Sequence, residues 1–303
     1  MYKFLPIIKT LIWGSESWQL SGVAGSLSVV YEGPEKGATI AELLSEQREK
    51  LVGKRNYQRY GDTFPLLIKF IDAHLPLSVQ VHPNDELAMK RHNSFGKTEM
   101  WYVLHAEKGA YLYSGFNRLL NPNSYCQMVE NGTITDALAK HEVHSGDVFF
   151  LPAGRVHSIG GGTTIAEIQQ TSDITYRIFD FNRLDKNGNA RELHTELAKD
   201  AIDYTVFSDY RTHYLPCINR PVELVNCNYF TTSLLELSKP IKFDHSALDS
   251  FVIYMCLEDD CEFTDSSNQV ITLHAGQTLL VPASNDKLSL RPIGSAKLLE
   301  VHN

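Results

Sequence analysis

The feature that most limits what this chain can fold into is a repeat. His144-Ser145-Gly146-Asp147-Val148-Phe149-Phe150-Leu151-Pro152-Ala153-Gly154 matches His274-Ala275-Gly276-Gln277-Thr278-Leu279-Leu280-Val281-Pro282-Ala283-Ser284, and Ile165-Ala166-Glu167-Ile168 matches Leu298-Leu299-Glu300-Val301. Two copies of one β-unit are implied. They differ in chemistry: the second has Lys287 where the first has His157, and it has no histidine paired with a carboxylate upstream. Only the first copy is therefore expected to hold a metal ion.

The upstream partners of His157 lie in residues 77–101. Leu77-Ser78-Val79-Gln80-Val81-His82 alternates apolar and polar, so Ser78, Gln80 and His82 share one face of a half-buried strand. Pro83-Asn84-Asp85 breaks that strand, and residues 86–92 read as a short helix behind an Asn/Asp cap. Glu99 then leads a second strand, and antiparallel pairing of the two would set it beside His82. Taken singly, His82 reads as a satisfied core histidine and Glu99 as a surface acid. Two strand-borne imidazoles, a carboxylate and a Gln amide can instead close on a divalent ion of the zinc class and leave a position open for water or substrate.

Composition narrows the class. In 303 residues, 43% hydrophobic content supports real cores. No apolar run approaches the ~18 residues of a membrane span, residues 1–12 do not read as a signal peptide, and a cytoplasmic protein is expected. The net charge of −8 disfavours nucleic acid and acidic membrane surfaces, so an anionic ligand needs local basic residues. Five scattered cysteines without a Cys-x-x-Cys pair argue against a disulfide framework or a thiolate zinc site.

Along the chain, Thr39 is expected to cap a helix carrying Ile40, Leu43, Leu44 and Leu51 at helical spacing. Residues 64–71 read as a buried strand with one anomalous lysine, Lys69, either on a solvated edge or aimed into a pocket. Residues 109–116 are expected to form a strand, 133–141 a helix, 192–204 a helix and 216–221 a linker. In Thr164-Ile165-Ala166-Glu167-Ile168-Gln169-Gln170 the alternation returns, placing Glu167 and Gln169 on one face. His105, His141, His144, His194 and His274 read as structural or surface residues.

Gly-x5-Pro-x-Gly-x2-His, from Gly146 to His157, is similar to the second motif of the cupins. Glu16-Ser17-Trp18, Pro65-Leu66-Leu67-Ile68-Lys69, Gln80-Val81-His82-Pro83-Asn84-Asp85, Gly96-Lys97-Thr98-Glu99-Met100-Trp101, Ser172-Asp173-Ile174-Thr175-Tyr176-Arg177 and Arg191-Glu192-Leu193-His194 together resemble the type I mannose-6-phosphate isomerases in their short bacterial form. The resemblance implies a mainly β fold of two cupin-type jelly-roll barrels with a few helices. Residues 1–215 would form the metal-binding domain with helical additions, and 216–303 a degenerate one without metal. It further implies one Zn2+ per chain on His82, Glu99 and His157, with Gln80 as fourth ligand. Arg177 is implied as the active-site arginine, and Ser78, Lys97, Glu167 and Arg183 as substrate contacts. Two departures are visible: Trp13-Gly14 reaches Glu16 through a single serine, and the inserted helical domain of the long form is missing.

The expected activity is zinc-dependent interconversion of mannose 6-phosphate and fructose 6-phosphate through an enediol-type state, by a monomer or small homo-oligomer. A Lewis acid and a permanently charged guanidinium suit the developing negative oxygen. The proton-carrying base stays open between Glu167, His82 and a water. A metal-dependent cupin dioxygenase would use the same two histidines and carboxylate with iron, but has no need of Arg177 and Arg183. A non-catalytic sugar-phosphate-binding cupin is the other alternative.

Overall fold

The computed structural model describes residues 1–184 and 187–303. Strands predominate, as expected, and the chain divides into two compact units. One comprises Met1–Ile7, Trp18–Leu67 and His213–Asn303; the other comprises Ile8–Ser17 and Ile68–Thr212. The last crossing between the units falls between Thr212 and His213, and residues 18–67 cluster with the C-terminal strands and not with residues 68–212. Among the described residues no helix is long and apolar enough to cross a membrane.

The unit that ends the chain carries a nine-stranded sheet built around the long strands Val252–Asp265 and Lys287–His302. Its capped helix forms over Ile40–Gln47: the Thr39 hydroxyl accepts from the Glu42 backbone, the Glu42 carboxylate accepts from the Thr39 N–H, and Ile40, Leu43 and Leu44 are buried, but Leu51, expected on the same helix, lies on a separate one, Glu49–Val52, beyond Arg48 at φ 49°.

The other unit contains a seven-stranded sheet, in which Glu99–Ala106 lies between Val148–Leu151 and Thr163–Gln170. It also contains a five-stranded sheet ordered Tyr176–Phe179, Val79–Val81, His157–Ile159, Tyr111–Phe116 and Leu138–Glu142. Trp101, Val103, Phe149, Leu151 and Ile165 of the larger sheet meet Leu112 and Ile159 of the smaller in one core. Trp101 is 1% exposed, and its burial contributes up to about 4–6 kcal/mol at ~25 cal/mol per Å2 over ~150–250 Å2. The opposite face of the smaller sheet, Val79, Val81, Tyr176 and Ile178, packs under Tyr125 and Ala198 of the helices Pro122–Glu130 and Thr195–Ala201. The period of two thus sends alternate residues of these strands to the helices and to the space between the sheets.

The repeat is real at the level of register. Trp101 stands opposite Phe149 and Glu167 in one copy, and Tyr254 stands opposite Leu279 and Glu300 in the other. Two expected helices changed: residues 134–137 make one 3-10 turn and Leu138–Glu142 is a strand, while the helix read over 192–204 spans only Thr195–Ala201.

Candidate active site

His82 follows the strand Val79–Val81 and His157 begins the adjacent strand, where it stands opposite Gln80. Glu99 begins a strand of the other sheet, so the expected direct pairing of the His82 and Glu99 strands does not occur. The carboxylate reaches the histidines across the interior: Glu99 Oε2 is 3.5 Å from His82 Nε2, and Glu99 Oε1 is 3.3 Å from His157 Nε2. Each of the three residues is 1% exposed. The Pro152-Ala153-Gly154 turn holds the approach in place, because the Gly154 N–H donates to the His82 carbonyl. Gly154 has φ +92°, and a Cβ there would meet the Ala201 carbonyl oxygen at 3.0 Å, so glycine is required.

The electrostatics of the trio suit a cation. His82 Nδ1 and His157 Nδ1 each lie 2.8 Å from a backbone carbonyl, of Ile174 and Arg155 respectively. A carbonyl can only accept, so each Nδ1 carries the proton and each Nε2 turns a lone pair inward. Burial lowers the pKa of His157 to about 3 and that of His82 well below its usual value, which keeps both rings in the neutral form a metal needs. Burial pushes the Glu99 carboxyl up to about 8, with the Glu167 charge adding to it. His82 Nε2 and both Glu99 oxygens are buried without a hydrogen-bond partner, an arrangement that costs ~1–3 kcal/mol per group unless something satisfies them. One ligand atom from each of the three residues lies within 4.8 Å of the others, close enough for a single ion to be shared among them. Gln80 adds an amide, its Nε2 3.3 Å from His157 Nε2, and rotation of the amide would present its oxygen instead.

Gln80, Lys97 and Trp101 touch this trio and also line a cavity of about 370 Å3. The volume is in the range of small-molecule sites. Ser78, Glu167 and Arg177 line it as well, so five of the residues proposed from sequence for ligand contact converge there: Ser78, Gln80, Lys97, Glu167 and Arg177. Lys69 resolves to the pocket reading. It is 5% exposed, with Nζ 2.8 Å from Glu167 Oε1 and 3.5 Å from Glu16 Oε2. Burial alone would lower its pKa, but the charges of Glu16 and Glu167 outweigh this and raise it. The other Glu167 oxygen accepts from Trp101 Nε1 at 2.6 Å.

Arg177 is half-buried on the cavity wall, with Nη1 donating to the Glu192 carbonyl at 2.9 Å and Nε buried without a partner. Burial, and then the nearby charges of Arg191 and Arg183, lower its pKa from a very high starting point, and it stays protonated. Arg183 is placed differently from the expectation. Its guanidinium donates to the Pro76 carbonyl and to Asp180, and it is not among the residues lining the cavity. Arg191 lines the cavity instead, anchored by Nε on Asp180 Oδ2 at 2.7 Å. Arg191, Asp180, Glu16 and Trp101 are the site residues that reading by motif passed over. Arg191, Glu16 and Trp101 stood inside the quoted motifs, whereas Asp180 gave no signal of its own.

Residues 7–116 match the family model described as phosphomannose isomerase type I, catalytic domain. The chain is 36% identical over 254 residues to mannose-6-phosphate isomerase ManA of Bacillus subtilis (strain 168), a match covering 78% of this chain and 79% of that one. It is 33% identical over 268 residues to mannose-6-phosphate isomerase of Streptococcus mutans serotype c, covering 88% and 82%. The crystal structure of the mannose 6-phosphate isomerase from Bacillus subtilis superposes with a TM-score of 0.88 at 26% identity, over 100% of this chain and 99% of that one. The chain therefore belongs to the type I phosphomannose isomerase family.

Proposed function

We propose that the chain interconverts mannose 6-phosphate and fructose 6-phosphate, with Zn2+ held by His82, Glu99 and His157 and with Gln80 as fourth ligand. The observation that carries this reading is the set of three unsatisfied ligand atoms buried next to a cavity whose wall holds Lys69, Lys97, Arg177 and Arg191. A divalent metal bound there would supply Lewis-acid stabilisation for the oxygens at the two carbons that exchange a proton.

The remaining work falls to the chain's own side chains. Arg177, protonated throughout and with an unpartnered Nε, offsets the negative charge that develops in an enediol-type transition state. Glu167 is the side chain best placed to carry the proton between the two carbons. It lines the cavity, while His82 does not and has its Nδ1 tied to a backbone carbonyl. Trp101 and Lys69 hold the two Glu167 oxygens in place. Arg191 takes the phosphate with Ser78 and Lys97, since a guanidinium fork gives orientation as well as charge. Arg183 acts through Asp180, which both arginines share.

A coupled assay of mannose 6-phosphate conversion before and after chelation, with metal analysis, tests the reading. Activity lost on chelation and restored by Zn2+ is expected. Activity that survives complete metal removal would sink the metal assignment, and oxygen uptake in place of isomerisation would move the chain to dioxygenase chemistry.

A further inference from the structure

Arg177 sits on the outer strand of the five-stranded sheet, with Val79–Val81 on one side and, among the described residues, no further strand on the other. An outer strand leaves alternate N–H and C=O groups without a ladder partner, and this is a loose support for a side chain whose position matters. Here both groups of Arg177 are taken by one residue. The Arg177 N–H donates to His194 Nδ1 at 3.0 Å, and the His194 N–H donates to the Arg177 carbonyl at 2.7 Å. The same segment accepts from the guanidinium through the Glu192 carbonyl at 2.9 Å.

His194 is itself fixed from behind. Its carbonyl accepts from the Ala198 N–H at 2.8 Å, and Ala198 belongs to a helix packed into the apolar core under the sheet. An Nδ1 that accepts a backbone N–H requires a neutral ring with its proton on Nε2. Burial lowers the pKa of His194, with the Arg177 charge adding and Glu192 opposing, in keeping with that form.

We propose that His194 is a positioning residue for the isomerase reaction, holding the Arg177 backbone so that its guanidinium meets the transition state. The proposal rests on the isomerase reading for its kinetic effect, but the lock is a property of the fold and can be measured without substrate. The side chains that can replace His194 are set by geometry. Asn places an amide oxygen where Nδ1 lies, whereas Gln places its amide oxygen nearer the position of Nε2.

The test compares His194→Asn, His194→Gln and His194→Ala in the full-length, zinc-loaded protein. Hydrogen exchange of the Arg177 amide should be slow in the wild type and in His194→Asn, and at least ~10-fold faster in His194→Gln and His194→Ala. In the mannose 6-phosphate assay, His194→Ala and His194→Gln should lose ~10–100-fold in kcat, the scale for misplacing a catalytic group by about 1 Å, with KM within ~3-fold of wild type. His194→Asn should keep kcat within ~3-fold. A His194→Asn as impaired as His194→Gln, or an Arg177 amide indifferent to all three changes, would overturn the proposal. Slow exchange restored by Asn alone in a protein that does not isomerise would leave the lock standing and remove the isomerase reading instead.

Discussion

The two copies of the β-unit share a scaffold and differ in what they do with it. In each, an aromatic residue donates to a carboxylate at the same point in the ladder: Trp101 to Glu167 at 2.6 Å and Tyr254 to Glu300 at 2.8 Å. The register also sets Val252, opposite Val281, at the position that Glu99 occupies opposite Leu151. Val252 is buried in an apolar cluster. His157 is replaced by Lys287, which is exposed and pairs in register with Asp244 on a neighbouring strand. The aromatic and carboxylate pair is therefore common to both copies, and its presence alone does not make a site. What the first copy adds to that pair is Glu99 where the second has Val252, His157 where the second has Lys287, and Lys69 on Glu167. In the second copy that third place in the network goes to His245, whose Nε2 lies 3.0 Å from the Tyr254 hydroxyl.

The largest effect should come from giving the first copy the second copy's residue. Glu99→Val is expected to abolish stoichiometric zinc and lower turnover by more than ~10³-fold in a protein that still folds, since losing even an outer partner of a metal ligand costs ~10–100-fold. Full zinc occupancy in that variant, measured by metal analysis, would show that the ligands are elsewhere. Next come the arginines. Arg177→Ala should lower kcat by ~10²–10³-fold with a much smaller change in KM, because the charge it offsets exists only in the transition state. Arg191→Ala should raise KM more than it lowers kcat, because phosphate is present in ground and transition states alike. Steady-state kinetics showing the reverse split would exchange the two roles.

A smaller effect is expected in the second copy. Burial raises the Glu300 pKa above 4.5 despite the Tyr254 hydrogen bond. The folded state thus favours the protonated acid: its contribution is fully present below the unfolded pKa and is lost as pH rises through the folded one. Thermal unfolding followed from about pH 4 to 8 should therefore show a stability decline that Glu300→Gln flattens. An unchanged slope would mean that Glu300 does not titrate in that window. The smallest expected effect is none at all: Lys287→His should bind no additional zinc, because Val252 still fills the carboxylate position.

How much of this was legible in the chain depended on which physical signal was asked to speak. Alternation in residues 77–82 correctly put Ser78 and Gln80 on the cavity side, because the period of a strand fixes the face. Alternation does not say which strand lies next door: the Glu99 strand belongs to the other sheet and does not pair with that of His82, although the two side chains do meet. Ile134, Ala137 and Leu138 recur at helical spacing, yet all three are equally well buried by one 3-10 turn running into a strand. The helix Pro122–Glu130 carries its start signals in the sequence, since Asn121 caps it and Pro122 opens it. For the arginines, motif position named Arg177 and Arg183 but could not weigh Asp180, whose carboxylate holds Arg183 and Arg191 and leaves only the latter on the cavity wall.

The rings of His82 and His157, which could hold a metal, are oriented by main-chain carbonyls, of Ile174 and Arg155. Their aim is consequently set when the sheet forms, before any ion arrives. In a zinc finger, by contrast, metal binding and folding are one event. On the proposed zinc reading the two would be separate steps in the life of the protein: a newly made chain would reach its final shape first and be loaded later. Scarcity of the ion would then leave a standing stock of folded, idle protein ready to be switched on by supply alone.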